Sequence, residues 1–260
     1  MQSWSAPLPA YPLYAPLQRW AVPCAEDGAS QADYDELSAH TATLPLPAGL
    51  RFVCDLEPSD YYEMHIGKYA EVPSRAANWH DWFNALAWLA WPRSKAALNA
   101  RHRRAIERGE LKRGPLRDAA TLFDECGVLV PVADPTLADA LTGMRWHELF
   151  VTNRAAWGTS IAAYTLGHAL FEQGLEPFIG WCGKAWLMPV AADFFALPQE
   201  EQWARLDSEL AATLADDHQM ASPRALYPLP LLGIPGWSEA NLDPAFYANT
   251  NYFRPSRRAG

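Results

Sequence analysis

The segment Asn78-Trp79-His80-Asp81-Trp82-Phe83-Asn84-Ala85-Leu86-Ala87-Trp88-Leu89-Ala90-Trp91, followed by Pro92, spells a helix, a stop and a restart. Apolar or aromatic side chains at Trp79, Trp82, Phe83, Leu86 and Ala90 recur at the three- and four-residue spacing of one helical face. Asn78 stands where an N-cap belongs, and Asp81 falls in the first turn, where the helix dipole favours an acid. Pro92 ends the helix yet suits the first position of another, which continues to about Gly109. Two helices hinged at Pro92 are therefore the expected centre of the molecule.

On either side the pattern mixes short strands with further helices. Leu50–Cys54 predicts a strand. Tyr61–Ile66 and Tyr69–Val72, joined by Gly67-Lys68, predict a β-hairpin with glycine at its turn. Thr121–Phe123 and Val128–Pro131 predict a strand–turn–strand around Asp124–Gly127. Helices are expected at 135–143, 155–173 and 198–216, with a strand or buried run near Ala185–Val190. The class is α+β, predominantly helical, with small antiparallel hairpins.

Proline marks the ends. Residues 1–58 contain eight prolines and 223–260 contain six, against eight in the whole stretch between. Proline opposes regular helix and central strand. Both ends are nevertheless aromatic, with Trp4, Tyr11, Tyr14 and Trp20 at the front and Trp237, Phe246, Tyr247, Tyr252 and Phe253 at the back. A disordered tail has no use for so many large apolar rings. The expectation is one domain: a core over 59–222, covered by irregular N-terminal (1–58) and C-terminal (223–260) arms.

Half of the 260 residues are hydrophobic, enough for a large core. A net charge of −9 argues against general binding to nucleic acid or an anionic membrane. No apolar run approaches the length of a membrane helix. Cys24, Cys54, Cys126 and Cys182 form no C-x-x-C pair, and the first residues lack the basic-then-apolar pattern of a signal peptide. Reduced thiols and a cytoplasmic location are expected. The charge is uneven: Arg93 to Arg117 holds nine Lys or Arg and only two acids. This segment reads as a solvated basic face or as a dock for an anion.

Short catalytic patterns mostly fail. There is no G-x-G-x-x-G and no P-loop. His147-Glu148 would need a second His at position 151, which is Val151. Phe123-Asp124-Glu125-Cys126-Gly127 lacks the second acid of an F-D-x-D-G phosphatase loop. Gly158–Ala162 misses a G-x-S-x-G elbow by one residue and lacks an adjoining strand.

The polar stripe of the first helix carries more. His80 and Asn84 are four apart and Asp81 and Asn84 three apart, so an imidazole, a carboxylate and an amide share a face. Lys95, Asn99 and His102 share a face of the next helix. Facing one another across Pro92, the two sets would assemble a catalytic pocket of His80, Asp81, Asn84, Lys95, Asn99 and His102, to which Arg117-Asp118 and Asp124-Glu125 would add if the fold brings them near. His80, Asp81 and His102 are its candidate ligands for a divalent metal. Capping by Asn78 and helix-to-helix packing would explain some of the same polarity. A His-Asp doublet also marks a helical phosphohydrolase family, whose metal site needs an upstream helical His; the nearest, His65, lies in the predicted hairpin. His168, on a stripe with Ile161, Tyr164 and Phe171, reads as a core residue, although His168 and Glu172 are spaced as a metal pair.

Several blocks carry a resemblance: Tyr62-Glu63; Val72–Arg75 with Asn78–Leu86; Trp91–Asn99; Arg117–Glu125; Gly167–Leu170; and Leu232–Trp237. From about residue 50 onward the chain resembles the proteobacterial domain of unknown function 3025 family, a kinship that implies no activity. The functional reading therefore rests on the residues. It is an intracellular enzyme-like domain, a hydrolase, in which His80 is a base or ligand, Asp81 orients it or binds metal, and Lys95 stabilises a developing anion. The alternative is a non-catalytic scaffold that docks a small anionic ligand or an acidic protein through residues 93–117.

Overall fold

A computed structural model describes residues 2–58, 61–110, 112 and 114–256. Among these the helices are α1 (Gln31–Thr41), α2 (Tyr62–Tyr69), α3 (Trp79–Ala90), α4 (Pro92–Glu107), α5 (Pro115–Cys126), α6 (Pro135–Thr142), α7 (His168–Gln173) and α8 (Gln199–Ala215). The strands are β1 (Arg51–Cys54), β2 (Glu71–Ser74), β3 (Gly127–Val132), β4 (Tyr164–Thr165), β5 (Cys182–Pro189) and β6 (Tyr227–Pro230). The class is the expected α+β with a helical majority.

Asn78 caps α3, its side chain accepting from the Asp81 backbone N–H at 3.0 Å. Trp82, Phe83 and Leu86 then turn inward and are buried. Pro92 opens α4. Among the described residues two small sheets form: β1 pairs with β2 in parallel, and a second sheet runs β4-β3-β5-β6. In it β3 and β5 are parallel, with Leu129 opposite Trp186, while the outer pairs are antiparallel. Every residue of β3 is buried, as a run apolar on both faces requires. One apolar cluster extends from Leu13 through α3 to Phe253, and a second lies beneath α4, α5 and α8.

The first arm of each predicted hairpin is helical instead, whereas the second arms reach strands, Glu71–Val72 in β2 and Val128–Pro131 in β3. Residues 62–69 form α2, which ends because Ala70 adopts a left-handed backbone with φ 54°. Gly67 makes no turn; it lies inside α2, where a Cβ would come within 2.3 Å of the Arg103 side chain. Residues 121–126 complete α5, whose Ala119, Ala120 and Phe123 are buried at helical spacing, and the strand begins only at Gly127. The expected helix at 155–173 is confined to 168–173. Gly158 takes φ 87°, Ile161 bridges to Val132, and Tyr164 and Thr165 join β3, so sheet pairing displaces helix there. Helices at 135–142 and 199–215 and the strand at 182–189 lie close to their expected places.

The arms pack on the core, but the front one is more regular than proline suggests, holding α1 and β1. Leu13, Tyr14 and Leu17 are fully buried, and Trp4 stacks on Trp79 with ring centroids 3.6 Å apart. At the back Tyr252 donates to the Trp181 carbonyl at 2.7 Å and accepts from the Leu232 N–H. No helix among the described residues is long and apolar enough to cross a membrane.

The basic segment is largely neutralised within the fold. Arg104 and Arg108 each donate to Asp217 at 2.8 Å, and Arg103 pairs with Glu107. Arg113 lies outside the described residues. Burial works to raise the Asp217 carboxyl, but the two guanidiniums outweigh it and hold the group below its ordinary range. A depressed folded value contributes stability above the unfolded pKa of about 3.9 and loses it as pH falls through the folded value. Asp217→Asn is therefore expected to cost about 1 kcal/mol at pH 7. In urea titrations the gap to the parent should narrow as pH drops below about 4; a gap constant with pH would contradict this account.

Candidate metal centre

The turn at Pro92 sets α3 and α4 side by side, and α5 and α7 close the other walls. Between them lies a cavity of about 500 Å³. His80, Asp81 and Asn84 from α3 line it, as do Lys95, Asn99 and His102 from α4. Arg117, Thr121, Asp124 and Glu125 from α5 and His168 from α7 complete much of the wall.

Within this shared space the six sequence-predicted residues have different partners. Asp81 does not face His80. Its carboxylate accepts from Arg75 through Nε at 2.8 Å, Nη2 at 3.0 Å and the backbone N–H at 2.8 Å. Lys95 is 2% exposed and donates to Asn84 Oδ1 at 2.8 Å and to Asp124 Oδ1 at 2.5 Å. Asn84 passes the chain on to the Tyr62 hydroxyl at 3.0 Å. Asn99 donates to the Glu63 carbonyl, and His102 Nδ1 lies 3.7 Å from the Glu63 carboxylate. Asp81 and His102 thus line the cavity without joining His80 in a ligand cluster.

His80 instead meets two residues from distant parts of the chain. Its Nε2 lies 3.0 Å from His168 Nε2 and 3.7 Å from Glu125 Oε2, and His168 Nε2 lies 3.5 Å from the same Glu125 oxygen. Among the described residues these three form the one group of His, Cys, Asp or Glu donors close enough to share an ion. His80 Nδ1 faces Glu172 Oε2 at 3.1 Å, and His168 Nδ1 faces Asp124 Oδ2 at 3.7 Å.

Gly167 makes the approach of α7 to α5 close enough. A Cβ there would fall 2.4 Å from the Gly127 nitrogen and 2.6 Å from both the Cys126 nitrogen and the Glu125 carbonyl oxygen. Its own N–H donates to the Gly127 carbonyl at 2.9 Å. His168 follows at once and lands beside Glu125.

The electrostatics follow from burial. Burial first, then Lys95, push the His168 imidazole down to about 3, so it is neutral with a lone pair to offer. Burial raises the Glu125 carboxyl, with Asp124 and Glu172 acting in the same direction against His80 and Lys95. Burial also works to raise Asp124, but Lys95 and His168 reverse it and leave that carboxylate ionised below its usual range.

Sequence reasoning placed His168 in the core, where it is, and missed what it meets there. Glu125 was hidden in a predicted turn. The available signal was the α5 stripe of Arg117, Thr121, Asp124 and Glu125, legible only once 115–126 is recognised as helix. The His168–Glu172 spacing pointed to the right residues, but Glu172 turns to His80. His65 is helical rather than extended, yet it pairs with Glu71 at 3.1 Å and does not line the cavity.

The family profile described as protein of unknown function, domain of unknown function 3025, matches residues 50–257. The chain belongs to that family. No curated protein and no solved structure matches it.

Proposed function

Starting from a family description that names no reaction, we propose that this protein is a metal-dependent hydrolase. Its divalent cation, zinc by preference, is held by His80 Nε2, His168 Nε2 and Glu125 Oε2. The observation that carries this reading is the triangle of 3.0, 3.5 and 3.7 Å between those atoms. Donors about 2.0–2.2 Å from a tetrahedral zinc lie about 3.3–3.6 Å from one another. The three separations bracket that range, so shifts of a few tenths of an ångström would seat one ion. Two imidazoles and a carboxylate beside an open cavity match the three-ligand pattern of catalytic rather than structural zinc sites.

The surroundings support the same reading. Glu172, hydrogen-bonded to His80 Nδ1, supplies the outer carboxylate that fixes the tautomer and angle of a ligating imidazole, and Asp124 lies 3.7 Å from His168 Nδ1. Lys95 balances the charge of Asp124 and, through Asn84 and Tyr62, ties the ligand wall to α2. When bound, the cation would acidify a water and polarise a substrate oxygen. In hydrolysis the water oxygen bonds to the carbonyl or phosphoryl centre, the bond to the leaving group breaks, and the proton passes to that group. The scaffold reading finds less support, because Lys95, Arg101, Arg103, Arg104 and Arg108 are engaged inside the fold. We assign the activity to one domain, supported by an apolar cluster spanning Leu13 to Phe253, and to the cytoplasm, supported by four free thiols.

Metal analysis tests the assignment. The parent, stripped and incubated with zinc, is expected to retain one ion per chain. His168→Gln should retain less than about a tenth of that with an unchanged circular dichroism spectrum, since a neutral amide is a poor zinc ligand. Any activity found in a hydrolase screen should vanish with chelator and return with zinc. Failure of the parent to hold zinc, manganese or cobalt would overturn the reading.

A further inference from the structure

Arg117 stands apart from the other cations of its segment. It is 3% exposed, yet no carboxylate among the described residues lies within ion-pair distance. Its Nη1 donates to the Glu110 carbonyl at 3.1 Å, its Nε has no hydrogen-bond partner, and the Tyr61 ring lies 5.9 Å away. It is also the third residue of α5, where the positive end of the helix disfavours a cation. Buried charge without a counter-charge is costly, and a helix start adds to that cost. Both terms reverse sign when an anion arrives.

The next turn repeats the deficiency. Thr121, four residues on and lining the same cavity, has a buried hydroxyl with no partner. Arg117, Thr121, Asp124 and Glu125 thus form one stripe leading from a cation with no carboxylate partner among the described residues to the ligand triangle. Eight residues of helix cover about 12 Å, a span that a small molecule can bridge. The other two cations on the wall are already matched, Lys95 by Asp124 and Arg75 by Asp81.

We propose that Arg117 and Thr121 form an anion-recognition subsite, and that the substrate is a small molecule carrying a carboxylate or phosphate group held there while its hydrolysable bond reaches His80, Glu125 and His168. A guanidinium fork suits either anion by paired hydrogen bonds, and a threonine hydroxyl supplies a further donor. The substrate class rests on the hydrolase reading, but the subsite can be tested without metal.

The experiment titrates metal-free, full-length protein with inorganic phosphate and, separately, with acetate, followed by calorimetry. At least one anion is expected to bind, and the arm that responds identifies the group recognised. Arg117→Met should weaken that binding at least tenfold while retaining zinc, and His168→Gln should leave it within twofold while losing zinc. Should Arg117→Met fail to fold, Arg117→Lys and Thr121→Val carry the test, each expected to weaken binding at least threefold. Binding of neither anion, or equal binding by parent and Arg117 variants, overturns the subsite even if zinc binds. Loss of zinc binding with the anion effects intact overturns the metal centre alone.

Discussion

Gly167→Ala is expected to cost about 3 kcal/mol of stability, within the upper range for forced overpacking, and to remove most metal affinity. The added methyl would meet the nitrogens of Gly127 and Cys126 and the oxygen of Glu125, all within 2.6 Å. These are backbone atoms at a helix-to-strand junction, and no rotamer change can relieve them. The relief must come from moving α7, which carries His168 away from Glu125 and His80. A displacement of about 1 Å exceeds the tolerance of a metal site for its donor distances. Thermal unfolding and zinc titration of the same variant check both effects. An alanine variant with parental melting and parental zinc affinity would show that the close approach does not position α7.

The second large effect is expected at Arg101. This guanidinium is fully buried, yet it has no short ion pair; its nearest carboxylate, Asp217, is 3.9 Å away. Its donors go to the C-terminal end of α8 and the turn beyond. Nε donates to the Leu214 carbonyl at 2.9 Å, and Nη2 donates to the carbonyls of Asp216 at 2.6 Å and Thr213 at 3.3 Å. The last carbonyls of a helix have no partner within it. Arg101 therefore replaces the missing next turn and fastens α8 to α4. Burial lowers its pKa from the usual arginine value, but the group remains charged because that value starts so high. Arg101→Met fills the space but leaves several buried carbonyls unsatisfied. The loss is expected to be about 3–5 kcal/mol, measured as the shift in urea midpoint at constant m-value. A loss under about 1 kcal/mol would mean that water replaces the guanidinium at no cost.

These two residues mark what sequence could and could not disclose. The α3–Pro92–α4 unit was readable because its cap, its apolar spacing and its proline all agree. The polar faces of α3 and α4 were readable for the same reason, and their six residues do line one cavity. Arg101 was counted only as part of a basic run, since periodicity cannot tell a solvated arginine from one that ends another helix 113 residues away. His168 and Glu125 were separated by misjudged local structure. Their meeting depends on a glycine whose role is steric and on sheet pairing between remote strands. Neither leaves a local pattern. The basic segment could not be resolved for a further reason: Arg101, Arg104 and Arg108 are answered by Asp217 and by helix carbonyls far along the chain, while Arg117 is not.

The parallel pairing of β3 with β5 also governs how the chain reaches this state. Strand Gly127–Val132 pairs with the short β4 at Tyr164–Thr165 but finds its parallel neighbour only at Cys182–Pro189, and that strand's other neighbour comes only at Tyr227–Pro230. Contacts between such distant segments require long loops to close before they return any stabilisation. Domains dominated by them fold in roughly milliseconds to seconds, slower than helical bundles of equal stability. During synthesis α3, α4 and α5 are available early, whereas the fully apolar β3 lacks its parallel partner until Pro189 has been made. The kinetic weak point is therefore the middle strand rather than the cavity. A charge inserted in β3 to discourage association would be incompatible with its burial in the finished sheet, so protection during that interval must come from outside the strand.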